Sequence, residues 1–367
     1  MKIAIIGTRG IPNRYGGFEQ FAEMVSKQWI EDGHEVICYN PKDHEYQENI
    51  YQGVEIRHIY CPENRIGAAA NFIYDYLCLR DAVRSKCDIY LELGYQSSAF
   101  SFYLINKKER KKLVTNMDGM EWMRSKWSST TKRITKFAEK CAVKLSACLV
   151  SDNDGIADYY KSEYGRESSV IAYGCDADIV INKALIGDVI EDAMNFDLVI
   201  ARLEPENNVE MIIDGFLNSR VDRTLIIVGG LMTKHAQYLT NKFRSYERVK
   251  FVGAIYKKPT LDALRHYCSL YYHGHSVGGT NPSLLEAMAV KARIVAHNNQ
   301  FNKAVLSDNA FYFEDVESVA KISKSFEQQE NALNEFKDKN YELIKVEYTW
   351  KKIADKYIKL FNKVAES

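Results

Sequence analysis

The residues whose types and spacing are best suited to chemistry lie in His273-Gly-His-Ser-Val-Gly-Gly-Thr-Asn-Pro-Ser-Leu-Leu-Glu-Ala-Met-Ala289. Asn281 is a good helix N-cap, and Pro282 stands at the first helical position, where its missing N–H costs nothing. Gly278, Gly279 and Thr280 come just before the cap. Glycines there let backbone N–H groups approach an anion closely. A helix start adds partial positive charge, so the segment predicts a diphosphate site. Glu286 lies roughly 7 Å further along the helix, a reach that suits a carboxylate on ribose hydroxyls. A glycine turn before an ordinary buried helix, with Glu286 on the surface, fits the same residues.

Other groups fall at predicted strand ends. Arg202 follows the strand Phe196–Ala201, where a guanidinium can bond phosphate oxygens in bidentate fashion or pair with Glu204 or Glu206. His273 and His275 alternate near the end of another strand and could line the same site. In the first loop, Gly7 and Gly10 do not complete G-x-G-x-x-G, which disfavours a nicotinamide enzyme. Gly16 and Gly17, immediately before a helix, form a second candidate anion nest, to which Arg9 and Arg14 could add charge. Asp118 follows the strand Leu113–Met117. It suits either proton abstraction from an acceptor hydroxyl or plain turn chemistry. Two D-x-D pairs, Asp152/Asp154 and Asp176/Asp178, start a helix and enter a linker respectively, so no metal is expected.

These groups need a scaffold that brings strand ends together. Short β-branched runs alternate with helix-length segments: Lys2–Gly7, Glu35–Tyr39, Val54–Ile59, Asp88–Leu93, Leu113–Met117 and Ala147–Val150. The pattern restarts with Phe196–Ala201, Leu225–Gly229, Val249–Val252, Leu270–His273 and Arg293–Ala296. Such alternation predicts two parallel sheets with helices on both faces, and ligands beyond their C-terminal edges. The polar stretch Ala172–Met194 reads as the linker, and a helix is expected near Pro205 or Glu206. Trp350, Ile353, Ala354, Tyr357, Ile358 and Phe361 form a helical stripe that must be buried, on its own domain or on the first.

Composition bounds the rest. The 367 residues suit about two domains, and 46% are hydrophobic. The formal net charge is zero, so nucleic acid is not an expected partner. No apolar run approaches a membrane span, and the N-terminus is too short and β-like for a signal peptide. The eight cysteines are scattered without a C-x-x-C pair, as expected of reduced thiols in a cytoplasmic protein. From Phe102 to Lys144, twelve Lys and Arg oppose four acids, with Trp122, Met123 and Trp127 interleaved. That mixture suits an anionic membrane surface or a solvated helix face.

Three long segments resemble family 4 retaining glycosyltransferases of the GT-B architecture, and within them bacterial rhamnosyltransferases. They are Gly7-Thr-Arg-Gly-Ile-Pro-Asn-Arg-Tyr-Gly-Gly-Phe-Glu19, Asp118-Gly-Met-Glu-Trp-Met-Arg-Ser-Lys-Trp127 and His273–Ala289. Tyr173-Gly-Cys-Asp176 is similar to that family's Asn-Gly-Val-Asp at the domain junction. The resemblance implies an α/β fold of two Rossmann-like, doubly wound parallel-sheet domains facing a cleft. Residues 1–174 would bind acceptor and 175–348 the nucleotide-sugar donor, with a C-terminal helix, 349–367, returning to the first domain.

It also implies retaining, metal-independent hexosyl transfer, L-rhamnose from dTDP-rhamnose being the expected donor. The acceptor would be a saccharide, lipid-linked at the inner face of the plasma membrane, in cell-surface polysaccharide synthesis. The donor is a substrate, and no cofactor is expected. Asp118 and Arg202 would be catalytic. Gly16, Gly17, Arg202, Gly278, Gly279, Thr280, Asn281 and Glu286 would bind the donor, with Arg9, Arg14, His273 and His275 as additional candidates. Two departures stand out: Gly278 occupies the place of the wider family's first glutamate, and Asn207 the place of its lysine. Arg9, Arg14 or Lys257 are candidates for the missing charge. Another nucleotide-sugar, a sugar-nucleotide epimerase or a non-catalytic binding subunit are the alternatives.

Overall fold

The computed structural model describes residues 1–366 apart from 15, 121, 123–127, 188 and 191–194. Tyr15, Met123 and Trp127, which belong to the segments above, thus lie outside the described residues. The chain divides into two compact units, Met1–Gly174 together with the C-terminal segment from Trp350, and Cys175–Thr349.

The first unit carries an eight-stranded sheet in the order β3-β4-β2-β1-β5-β6-β7-β8. The strands are β1 Lys2–Ile6, β2 Glu35–Pro41, β3 Ile50–Tyr51, β4 Val54–Ile59, β5 Ile89–Leu93, β6 Leu113–Asn116, β7 Cys148–Ser151 and β8 Ser169–Val170. All pairings are parallel except β3 with β4. β1 and β5 are buried almost throughout, which explains their continuous apolar runs: helices cover both faces of a parallel sheet. The short edge strands β3 and β8 were invisible in the sequence, because two residues carry no periodicity.

The C-terminal helix Trp350–Ala365 belongs to this first unit. Its stripe packs on the helix Gly17–Glu31, with Tyr357 5.2 Å from Phe21 and Phe361 5.5 Å from Trp29, centroid to centroid. Two long-range hydrogen bonds pin it. Trp29 Nε1 donates to the Ala354 carbonyl at 3.1 Å, and Asn116 Nδ2 donates to the Tyr357 hydroxyl at 2.9 Å.

The second unit carries a six-stranded parallel sheet in the order β11-β10-β9-β12-β13-β14. Here β9 is Phe196–Ile200, β10 Thr224–Val228, β11 Val249–Gly253, β12 Tyr271–His273, β13 Ile294–His297 and β14 Phe311–Phe313. From β9 the chain builds outward through β10 and β11, then returns to the other side with β12. The β9/β12 boundary is therefore the topological switch point, where open α/β sheets bind ligands. The region after Arg202 differs from expectation: Pro205–Asn207 is a 3₁₀ turn, and the helix starts only at Val209. Asn208 stands in the left-handed region, φ 51°, and separates the two. The linker reading also changes. The units part at Gly174/Cys175, and Lys183–Ile186 is a 3₁₀ turn that buries Ile186. Residues 188 and 191–194 of that stretch lie outside the described residues.

All eight cysteines are free. Among the described residues, no helix is long and apolar enough to cross a membrane, and no cluster of three His, Cys, Asp or Glu could hold a metal ion.

One buried acid pair stands under the first loop. Glu92, at the C-terminal end of β5, is fully buried, and among the described residues only the Ser98 hydroxyl approaches its carboxylate to favour the charge. Burial, and then the neighbouring Asp75, push its pKa well above the ordinary 4.5. A group with a raised folded-state pKa stabilises most at low pH and loses that contribution as pH rises through the folded value. Glu92→Gln is therefore expected to match wild type in thermal stability near pH 4.5 and exceed it increasingly above. Unfolding temperatures measured from pH 4.5 to 8.5 check this; a constant offset would contradict it.

Candidate functional site

A cavity of about 430 Å³ opens at the C-terminal edge of the second sheet. The loops after β9, β10, β11 and β12 and the start of the helix Pro282–Ala289 line it. Each loop contributes something different. The loop after β9 gives Arg202 and Asn207; that after β12 gives Gly274 and His275; the helix start gives Asn281, Pro282, Ser283 and Glu286.

Arg202 is exposed and, among the described residues, has no carboxylate partner. The alternative of a pair with Glu204 or Glu206 is thus not what the structure shows. Its loop is braced instead by Asn207, whose Nδ2 donates to the Arg202 carbonyl at 2.7 Å while Oδ1 meets His275 Nδ1 at 2.9 Å. The residue in the lysine's place therefore serves as a cross-tie between the β9 and β12 loops. Gly274 makes that approach feasible: a β-carbon there would fall on the Asn207 carbonyl oxygen.

The helix start forms as its sequence predicts. The Asn281 side chain accepts from Ser283 N–H at 2.9 Å, and Pro282 occupies the first turn. The N–H groups of Leu284 and Leu285 bond the Asn281 carbonyl. An anion here would meet the helix dipole rather than these donors, which sharpens the expected role of the helix. Gly278, Gly279 and Thr280 do not line the cavity. Gly278 has φ +122°, a conformation that side chains avoid, so a glutamate could not simply occupy this position in the same backbone.

Glu286 is not a free surface acid. Its Oε2 pairs with Arg265 Nη2 at 2.7 Å, and its side chain is 18% exposed. Arg265, in the helix Lys258–Tyr267, is fully buried and lines the cavity. The same Nη2 donates to Ser283 Oγ at 2.9 Å, and Nη1 lies 3.5 Å from Asp262. Burial opposes its charge, but Glu286, Tyr271 and Asp262 together hold its pKa above the ordinary value. Lys258 completes the network with a 2.7 Å bond to Asp262. Sequence reasoning missed Arg265, because a basic residue in a helix's last turn reads as a solvated dipole partner.

His273 also lines the cavity. It is buried, its Nε2 has no partner among the described residues, and burial, then His275, Arg265 and His297, drive its pKa well below 6.5, so it is neutral near pH 7. The far wall holds a second missed residue, Tyr256, whose side chain is almost fully exposed.

The structure thus brings together Arg202, His273, His275, Asn281 and Glu286. Gly16, Gly17, Arg9, Arg14 and Asp118 belong to the first unit. Gly16 caps the helix Gly17–Glu31 without a side-chain bond. Arg9 pairs with Glu63 at 3.6 Å and Arg14 pairs with Glu45. Asp118 has φ 52°, and its N–H donates to Asn116 Oδ1 at 3.0 Å, so turn chemistry is present there. Lys257 does not line the cavity.

Comparison with known proteins follows this division. Residues 1–176 match a domain of unknown function (DUF1972), and residues 189–343 match glycosyl transferases group 1. No curated protein matches by sequence. The sucrose-phosphate synthase of Thermosynechococcus elongatus superposes with a TM-score of 0.80 at 13% identity, over 100% of both chains. Anabaena HepE in complex with UDP and glucose gives 0.75 at 17% identity, over 99% of this chain and 100% of the other. The catalytic domain of Arabidopsis thaliana starch synthase IV, bound to ADP and acarbose, gives 0.75 at 13%, over 100% and 99%. With two parallel-sheet units and a group 1 match across the second, the chain is a two-domain α/β protein of the GT-B fold whose C-terminal unit is a glycosyl transferases group 1 domain.

Proposed function

We propose that the chain is a retaining glycosyltransferase that moves a sugar from a nucleotide-diphosphate donor to a saccharide acceptor. The observation that carries this reading is the cavity at the β9/β12 switch point, with Arg202, exposed and without a carboxylate partner among the described residues, at one wall and Glu286 of the helix Pro282–Ala289 on another. HepE, of the same fold, was solved with UDP and with UDP-glucose, which supports a nucleotide donor here. Arg202 and the helix dipole would stabilise negative charge developing on the leaving diphosphate, an electrostatic contribution that needs no proton transfer. Glu286 would accept from ribose hydroxyls, and Tyr256 offers an aromatic face to the base. Attack on the sugar would come from the leaving group's side, with the diphosphate assisting deprotonation of the acceptor; Asp118 is the acceptor-side candidate base.

The resemblance of three segments to bacterial rhamnosyltransferases supports L-rhamnose from dTDP-rhamnose as the donor in this reading, and a lipid-linked saccharide on the inner membrane face as the acceptor. The first unit would bind that acceptor, and the protein would act in the cytoplasm in cell-surface polysaccharide synthesis. No cofactor or metal enters the proposal. The test is a panel of nucleotide-sugars scored by thermal stabilisation. A ligand at 100 times its Kd raises folding stability by about 2.7 kcal/mol. dTDP-rhamnose is expected to stabilise more than UDP-glucose or GDP-mannose. A flat response across the panel would remove the donor site; a larger response to another sugar would reassign the donor.

A further inference from the structure

The first unit exposes an apolar ridge that its own core leaves unused. Phe72, Phe100 and Phe137 form a chain of rings with centroids 5.8 and 5.9 Å apart. Ile134 lies one turn before Phe137 on the helix Ser129–Leu145, and Tyr103 reaches the Cys141 thiol of that helix, with Leu104 beside it. Phe72, Tyr103, Leu104, Ile134 and Phe137 are 40% to 67% exposed. The ridge is preformed: Arg110 donates to the carbonyls of Phe102, Tyr103 and Ile105 and fixes the loop that carries Tyr103 and Leu104. Clustered exposed aromatics of this kind mark an interaction surface.

Charge says which partner fits. The outer face of the same helix adds Arg133, Lys140 and Lys144, all exposed, and the short helix beside Leu104 adds Lys107 and Lys108. The only acid of the helix Ser129–Leu145, Glu139, is fully buried. It accepts from Tyr95, Trp122, Tyr159, Tyr164 and Lys136 and offers nothing to the surface. Trp122 is thereby held by Glu139 and is not the exposed anchor its sequence context suggested.

An apolar strip flanked by exposed cations matches an interface of acyl chains beneath anionic headgroups. We infer that this face docks the protein peripherally on an anionic bilayer, with Phe137, Ile134 and Leu104 entering the headgroup–acyl boundary. The inference rests, for its purpose, on the proposed lipid-linked acceptor and adds the surface by which the protein would reach it.

The experiment is flotation of the full chain with vesicles of phosphatidylcholine alone and with phosphatidylglycerol added, at 0.1 and 0.5 M salt. Binding is expected only to the anionic vesicles and is weakened by salt. Lys140→Gln with Lys144→Gln should lower the partition coefficient by roughly 30-fold, from about 1 kcal/mol per basic residue near the surface. Ile134→Glu with Phe137→Glu should abolish binding, and none of these surface changes should alter thermal stabilisation by nucleotide-sugar. Absence of binding to anionic vesicles, or salt-independent binding that survives both double variants, would overturn the inference. So would a dimer in sedimentation that Ile134→Glu with Phe137→Glu dissolves while vesicles bind nothing. Failure of the donor screen leaves the vesicle result standing, so the two readings fail separately.

Discussion

Arg202→Ala is expected to lower kcat for sugar transfer by about 10²- to 10³-fold, the usual loss when one preorganised donor to developing negative charge is removed. Arg202 stands at the end of the central strand β9, lines the cavity and is exposed, without a carboxylate partner among the described residues. Its loop is held by Asn207 through the Arg202 backbone carbonyl, so the side chain can be removed without loosening the brace. Thermal stability of the variant should accordingly stay within about 0.5 kcal/mol of wild type. Arg202→Lys keeps the charge but loses the planar fork, and should fall between the two in rate. Steady-state kinetics with saturating donor, together with unfolding curves, measure both quantities. Wild-type turnover in Arg202→Ala would place the charge-stabilising group elsewhere. A large loss of stability would make the residue structural.

What the sequence made legible follows the range of the interactions concerned. Asn281 and Pro282 announced the helix start, because capping is decided by residues within one turn. Arg202 was found because the end of a buried parallel strand is visible as the end of an apolar run. The union of those features was not legible. The cavity's other wall comes from Val228–Gly230 and Ala254–Tyr256. Those loops join Arg202 and Glu286 only because the sheet is ordered β11-β10-β9-β12. Asn207 read as a missing lysine, whereas its contact with His275 shows a structural tie that no local pattern encodes. The apolar ridge escaped for the same reason. Phe72, Phe100 and Phe137 come from three separate segments, and each alone reads as an ordinary core aromatic.

Arg265 is the residue on which distance in the sequence and proximity in space disagree most, and its replacement should have the largest effect on stability. Arg265→Met keeps the volume of the side chain but leaves Glu286 and Asp262 without the guanidinium between them. Removing one partner from a buried ion pair costs about 3–5 kcal/mol, mostly from the charge left unpaired. Asp262 retains Lys258 at 2.7 Å, so the stranded charge is chiefly that of Glu286. The double variant Arg265→Met with Glu286→Met should therefore recover most of the lost stability, since apolar replacement of a whole buried pair is often neutral. Donor affinity should not recover with it. If Arg265 serves to hold Glu286 toward the ribose, the single variant raises KM for the donor, and the double variant, lacking the carboxylate, stays high despite folding well. Urea unfolding and donor titration of the three proteins separate these outcomes. Recovery of both stability and donor KM in the double variant would show that the pair only fills the core, and Glu286 would lose its assignment to the donor. Recovery of stability alone makes Arg265 a positioning residue: a buried cation whose work is to keep one carboxylate at the edge of the cavity.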